Sequence, residues 1–194
     1  LVESSEYWAR RQAIGSFNKN ALKHGGRYLK GLALTPVKFG ISFTAMFLNQ
    51  AGALVHIYTD GTVQVSHGGT EMGQGLYTKI AQVVAAELGL PLKSIEVTST
   101  RTDKVPNTSP TAASSGTDLN GQAARNAVLT IKQRLIDHLV ATYQAEAEAI
   151  IFNDGLVSWP SHSLAFAELA QEAYMARISI SATGYYRTPK IHYD

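Results

Sequence analysis

The 194-residue sequence predicts an α+β fold of mixed α/β layers, with helices packed against a mixed sheet. Three observations lead there. An Asp60-Gly61 dipeptide sits between two β-rich runs, two long stretches repeat their apolar residues at helical spacing, and further strand and helix patterns alternate toward the end.

The elements follow in order. Over 4–20, Tyr7, Ala9 and Ala13 mingle with Arg10, Arg11 and Lys19, which predicts a short amphipathic helix with Ser4 or Ser5 as N-cap. The run HGGRYLKG is a basic turn. Apolar runs over 32–47 and 53–58 come next, then Asp60-Gly61 and 62–67. Asp-Gly between such runs predicts a hairpin whose two central residues both take positive φ. Val55 and Ile57 alternate with Leu54, His56 and Tyr58, so both faces of that strand read as apolar and covered.

Leu76, Ile80, Val83, Val84 and Leu88 share one helical face, and Gly89 and Pro91 end that helix. A strand over 95–98 follows. A second helix over 117–143 aligns Ala124, Val128, Ile131, Leu135 and Leu139. Asn153-Asp154-Gly155 marks a second hairpin, 163–177 reads as a helix and 178–186 as a strand. One sheet is expected to carry the layers. One region is expected over 1–194: a leading helix and turn over 1–30, the sheet with two loop-bearing helices over 31–145, and hairpin, helix and strand over 146–194.

Composition narrows the chemistry. The chain is 45% hydrophobic and only 16% charged, which excludes a disordered chain. Its 17 basic and 15 acidic residues leave a net charge of +2, giving no reason for a nucleic-acid or membrane partner. With no cysteine, disulfides, thiolate metal sites, cysteine nucleophiles and iron–sulfur ligation by this chain are excluded. The opening LVESSEYWARRQ lacks a signal-peptide core, no apolar run is long enough to span a bilayer, and a cytoplasmic location is expected. A chain starting at Leu1 rather than Met reads as a piece of a longer polypeptide.

The unusual sequence lies in two loops, each feeding a helix start. The first runs His67-Gly68-Gly69-Thr70-Glu71-Met72-Gly73-Gln74-Gly75. The second runs from Val105 through Asn107-Thr108-Ser109-Pro110-Thr111-Ala112-Ala113-Ser114-Ser115-Gly116. Helix starts expose unpaired N–H groups and partial positive charge, and glycines admit a ligand close to the backbone. Two such ends side by side suit a phosphate or pyrophosphate. N-capping alone equally accounts for Thr70, Ser114, Ser115 and Thr117. Neither G-x-G-x-x-G nor a Walker loop is present, so the ligand is not an ordinary nucleotide. Gln74, between glycines, offers an amide that can reach a ligand.

Other candidates are weaker. The six histidines, His24, His56, His67, His138, His162 and His192, show no ligand spacing and read as surface or strand residues. No G-x-S-x-G accompanies Asp137-His138. Glu146 and Glu148 read as solvent-facing, and Glu71 as a cap before an acid–base group. Phe39, Phe43 and Phe47, four residues apart, are stacking candidates for which core packing is the default. The sequon at Asn107 is discounted without a secretory signal.

KFGISFT (38–44), LNQAGAL (48–54), GGTEMGQG (68–75) and VPNTSPTAAS (105–114) resemble, in this order, the molybdenum-binding portion of the xanthine dehydrogenase family. Looser forms of the glycine loop occur across the molybdenum hydroxylases, aldehyde oxidases included. The resemblance implies a molybdenum-pyranopterin cofactor (molybdopterin) whose dithiolene, not the protein, ligates the metal. It assigns Met72, Gly73 and Gln74 to the pterin and the metal's oxo group, and Ala113, Ser114, Ser115, Gly116 and Thr117 to the pterin and its phosphate. Phe43, Thr44, Ala112 and Ala113 would line the substrate pocket, with the aromatic ring on the purine.

The implied reaction is hydroxylation of hypoxanthine to xanthine and of xanthine to urate, with a glutamate as general base. Iron–sulfur clusters, FAD and NAD would serve it on other parts of the complex, and the remaining parts of the same large subunit would be partners. The family's general-base glutamate falls after these motifs, and its substrate-binding glutamate, arginine and second phenylalanine fall before them. No catalytic residue is therefore assigned within 1–194, and the chain alone is expected to lack turnover. From another class, the same loops would serve a non-catalytic phosphate-binding or subunit-assembly module.

Overall fold

The computed structural model describes residues 1–37, 39–105, 107–160 and 162–189. Lys38 and Pro106 of the quoted motifs, and His192, lie outside the described residues. The chain divides into two units, Leu1–Gly40 and Ile41–Asp194.

In the first unit, α1 (Tyr7–Lys23) starts after Glu6, which adopts φ 50° and gives no side-chain cap. The expected serine caps are not formed. Ser4 and Ser5 donate instead to the carbonyls of Leu1 and Val2, because the chain before the helix already turns back on itself. Tyr7 is the one buried residue of α1, and Arg11 donates to its hydroxyl at 2.8 Å. Asn18 pairs with both backbone groups of Lys30 (2.8 and 2.9 Å), which folds the basic segment back along the helix.

In the second unit, residues 41–49 are irregular apart from a 3₁₀ turn at Met46–Leu48. Then β1 (Gln50–Ile57) and β2 (Val63–His67) form the predicted hairpin, antiparallel with Val55 opposite Val65. Its turn differs from expectation: Gly61 has φ 82°, and Asp60 is not left-handed. The hairpin loop is longer than two residues, with Gly61 N–H donating to Tyr58 and Tyr58 N–H to Thr62, and such a turn needs one left-handed residue only.

Next, α2 (Leu76–Leu88) has the predicted bounds and ends on left-handed Gly89. It leads through a short turn to β3 (Ile95–Val97), which runs parallel to β2. The long helix α3 (Gly116–Tyr143) buries Ala124, Val128, Ile131, Leu135 and Leu139 completely, as its spacing predicts. Each large aliphatic side chain so buried contributes about 2 kcal/mol. After it, β4 (Ile151–Asn153) and β5 (Leu156–Trp159) close the second hairpin through Asp154 and Gly155, both at positive φ.

The segment expected to be helical over 163–177 starts as a strand. β6 (His162–Ala165) pairs with β5, and α4 (Phe166–Met175) follows. The helix begins at Phe166 instead of 163, because β5 offers 163–165 an edge to pair with. Glu168 takes over the helix start by accepting the Ala165 N–H at 2.8 Å. Finally β7 (Ser181–Arg187) returns antiparallel to β1.

Among the described residues the result is an α+β unit with two sheets rather than the one expected: a mixed sheet in the order β3-β2-β1-β7 and a small antiparallel sheet β4-β5-β6. The second sheet exists because β5 has a hairpin partner on each side. Ala51, Ala53, Val55 and Ile57 are buried with α2 and α3, while Leu54 and His56 on the other face of β1 are half-buried only. α3 crosses β7 where Gly184 removes a side chain. No helix among the described residues is long and apolar enough to cross a membrane.

Candidate functional site

The β2–α2 connection and the loop before α3 meet at the helix starts. Two contacts join them. Thr70 N–H donates to Thr111 Oγ1 at 2.8 Å, and Thr108 packs so close to Gly68 that a Cβ there would lie 1.9 Å from its Oγ1. Between the loops opens a cavity of about 340 Å³ lined by Met72, Gln74, Leu76, Lys79 and residues of 111–117. The residues of 72–74 and 112–117 singled out in the sequence thus come together, with Met72, Gln74, Ala112, Ser114, Gly116 and Thr117 on the lining.

The two helix starts are not equivalent. At α2 the Glu71 carboxylate occupies the anion position itself. Its Oε1 accepts from the Gly73 and Gly75 N–H groups, both at 2.9 Å, and its Oε2 from Tyr77 N–H at 3.0 Å. The Tyr77 bond, with those of Gly75 and Gly73, holds the Glu71 carboxyl below the ordinary value. Glu71 is therefore the cap that the sequence favoured, and the α2 start is closed to a second anion.

At α3 the N–H groups of Gly116, Thr117 and Asp118 have no acceptor among the described residues. Ser115, the N-cap residue, turns its hydroxyl to Ala112 O (2.9 Å) and is buried, so it shapes the loop rather than capping the helix. Ala113 and Ser114 both adopt φ 53°, which turns the chain so that the α3 start faces the cavity. The open position is the second loop's.

Gln74 also departs from expectation. Its Oε1 accepts from Met72 N–H at 2.6 Å and its Nε2 donates to Thr70 O at 2.9 Å. The amide braces its own loop instead of standing free over the cavity, because the tight turn at Gly73 and Gly75 brings those backbone groups within its reach.

The segment bearing Phe43 and Thr44 adjoins the second loop. Ser42 N–H donates to Ala113 O at 3.2 Å, and the buried Asn49 side chain pairs with both backbone groups of Phe43 (2.7 and 2.8 Å). Phe43 is half-buried and Thr44, Ala112 and Ala113 are exposed. Phe39 and Phe47 are exposed at 71% and 72%, so the core default fails for both. Phe47 sits in the 3₁₀ turn Met46–Leu48, before β1 begins, and so outside the sheet.

Two residues gain roles that sequence reasoning missed. Lys79 lines the cavity; the signal available was its place one turn after Leu76, on the side of the helix start. His67, read as a surface or strand histidine, is 2% exposed at the end of β2. Burial lowers its pKa to about 4, partly offset by the charge of Glu71. Of the other described histidines, His56 lies in β1, His138 on α3, His162 in β6, and His24 closes α1. Glu146 and Glu148 are exposed as expected.

A cavity between two loops, with one helix start open and a lysine on its lining, has the chemistry of a site for an anionic organic ligand. Residues 1–194 match the family model described as the molybdopterin cofactor-binding domain. The chain is similar to xanthine dehydrogenase/oxidase of Mus musculus, 46% identical over 194 residues, covering 100% of this chain and 13% of that protein. It is likewise similar to xanthine dehydrogenase of Emericella nidulans, 46% identical over 193 residues and covering 12% of that protein. The solved structure of the carbon monoxide reduced Cu,Mo-CO dehydrogenase shares the fold, with a TM-score of 0.73 over 97% of this chain and 26% of that one, at 21% identity. The chain belongs to the molybdopterin cofactor-binding domain family.

The residues present fit the anionic tail of such a cofactor. The lining offers the Lys79 cation, the Ser114 and Thr117 hydroxyls and the open α3 start, and it contains no carboxylate, since Glu71 is turned onto backbone.

Proposed function

We propose that this chain forms part of the cofactor and substrate pocket of a molybdenum hydroxylase acting on purines. The observation that carries this reading is the shared cavity: the loops at 72–74 and 112–117 flank one donor-rich space of about 340 Å³. Similarity to the two xanthine dehydrogenases supports the purine class. Because the chain spans 13% and 12% of those relatives, the reaction belongs to the whole protein.

In this reading the α3 start would hold the phosphate: the N–H groups of Gly116 and Thr117 and the hydroxyls of Ser114 and Thr117 would donate to it, with Lys79 supplying charge. Met72, Gly73 and Ala113 bound the pterin through backbone, and Ser115 holds the loop through Ala112. When bound, the group supplies the two-electron redox chemistry and the Lewis-acid centre for hydroxylation at a substrate carbon. Gln74, on the cavity lining, would help orient the group if its amide gave up its bonds to Met72 and Thr70. Phe43, braced by Asn49, offers its ring to a planar purine, Thr44 a hydroxyl beside it, and Ala112 and Ala113 leave room by being small. The general base and the iron–sulfur, flavin and nicotinamide groups are contributed outside these residues.

The test is pterin and molybdenum content per protomer of the intact protein carrying Lys79→Met, Ser114→Ala or Gln74→Ala, alongside purine-dependent dye reduction. Expected are loss of pterin for the first two and loss of turnover for Gln74→Ala. An unchanged molybdenum centre with altered subunit assembly would favour the assembly-module reading instead.

A further inference from the structure

Gly69 is held from every side. Its N–H donates to His67 Nδ1 at 3.0 Å, and its carbonyl accepts from the Thr100 hydroxyl. That hydroxyl accepts in turn from Tyr77 OH (2.9 Å), and Tyr77 OH accepts from Thr100 N–H (3.2 Å). A Cβ at Gly69 would lie 2.6 Å from Leu76 Cδ2, 2.9 Å from Asn120 Nδ2 and 3.2 Å from His67 Nδ1. The residue is therefore wedged between the first residue of α2, a side chain of α3 and the imidazole. The His67 ring stands edge-on to Tyr77, centroids 5.2 Å apart.

An imidazole nitrogen that accepts a backbone N–H carries no proton, so the His67 proton sits on Nε2. That atom is buried and has no partner among the described residues. A buried donor without an acceptor costs stability, and an apolar side chain would avoid the cost. What the imidazole provides in return is an acceptor at one defined place, beneath Gly69. From there the constraint passes outward: Thr70 N–H binds Thr111, and Thr70 O binds Gln74.

We infer that His67 is the positioning residue of the cavity: by accepting the Gly69 N–H at Nδ1 it sets the spacing between the 70–75 lip and the 111–117 loop, without itself lining the space. The inference rests on the reading that this space takes the pterin only for its effect on cofactor retention. The hold on the loop is a property of the chain alone.

Two amides separate positioning from bulk. Asn at 67 places an oxygen where Nδ1 stands, and Gln places it one bond farther, out of reach of Gly69. In the intact protein carrying His67→Gln, amide exchange over 68–75 should rise about tenfold, as loss of one hydrogen bond predicts, while exchange over 124–139 stays as in the parent. Bound pterin, read by its oxidised fluorescence, should fall severalfold. His67→Asn should return both readouts to within about twofold of the parent. Equal protection of 68–75 in the Gln variant and the parent overturns the inference. So does uniform loss of protection across 68–75 and 124–139 in both variants, which would mark His67 as a packing residue. If the parent holds no pterin yet the Asn and Gln variants split in loop exchange, the cofactor reading fails and the positioning role stands.

Discussion

Thr70 N–H donates to Thr111 Oγ1 across 2.8 Å, joining two loops that lie 41 residues apart in sequence. This bond links the start of the α2 loop to the middle of the α3 loop, beside the cavity. Thr111→Val keeps the shape and removes the acceptor, leaving the exposed Thr70 N–H to solvent and the two loops without their bond. The variant should lose about 1 kcal/mol in denaturant unfolding and bind less pterin, whereas Thr111→Ser should match the parent in both.

Glu71 closes the α2 start with its own carboxylate. Its folded-state value lies below the ordinary 4.5, so its stabilisation is present above that value and is lost as pH falls through the lower one. Glu71→Gln should therefore melt below the parent at neutral pH. Thermal scans on descending pH should bring the two curves together once the parent carboxylate is protonated.

His67 acts with the opposite charge and the same pH sense. Burial, its dominant influence, drops its value from 6.5 to about 4, while the Glu71 charge pulls the other way. The unfolded chain thus binds a proton that the folded chain refuses between those values. Stability is whole above about pH 6.5 and declines by about 3 kcal/mol as pH falls to about 4. Against His67→Asn, which removes this titration, denaturant midpoints at pH 7, 5.5 and 4 should show the parent losing the additional amount.

Gly184 lets α3 lie directly on β7. A Cβ there would come within 2.0 Å of Ala123 O and 2.6 Å of Ala127 N, which are backbone atoms of a helix and cannot turn aside. Gly184→Ala should cost about 3 kcal/mol, at the high end for overpacking, and lower the melting temperature accordingly. Gly15→Ala, with open space around the added carbon, is the control expected to melt at or above the parent.

Much of the fold is legible in the sequence. The bounds of α2, the apolar stripe of α3 and both hairpins follow from spacing and turn residues, because those signals concern neighbours within a few positions. The errors arise where distant segments decide. The helix expected from 163 yields over 163–165 to the edge of β5, and Asp60 keeps ordinary φ because the loop around it is longer than two residues. Phe39 and Phe47 carry core-like side chains yet are exposed, Phe47 because its 3₁₀ turn precedes β1.

By itself the sequence determined that two glycine- and hydroxyl-rich loops precede two amphipathic helices, and its motifs carried the family. Only the tertiary structure decided which helix start stays open, since that depends on Glu71 folding back over Gly73, Gly75 and Tyr77, while among the described residues no carboxylate accepts from the first N–H groups of α3, Asp118 in its first turn included. It also decided that Gln74 is engaged, that Lys79 faces the cavity and that His67 lies beneath Gly69. Hydrogen-bond partners are chosen by three-dimensional proximity, and residue types along a chain do not record it.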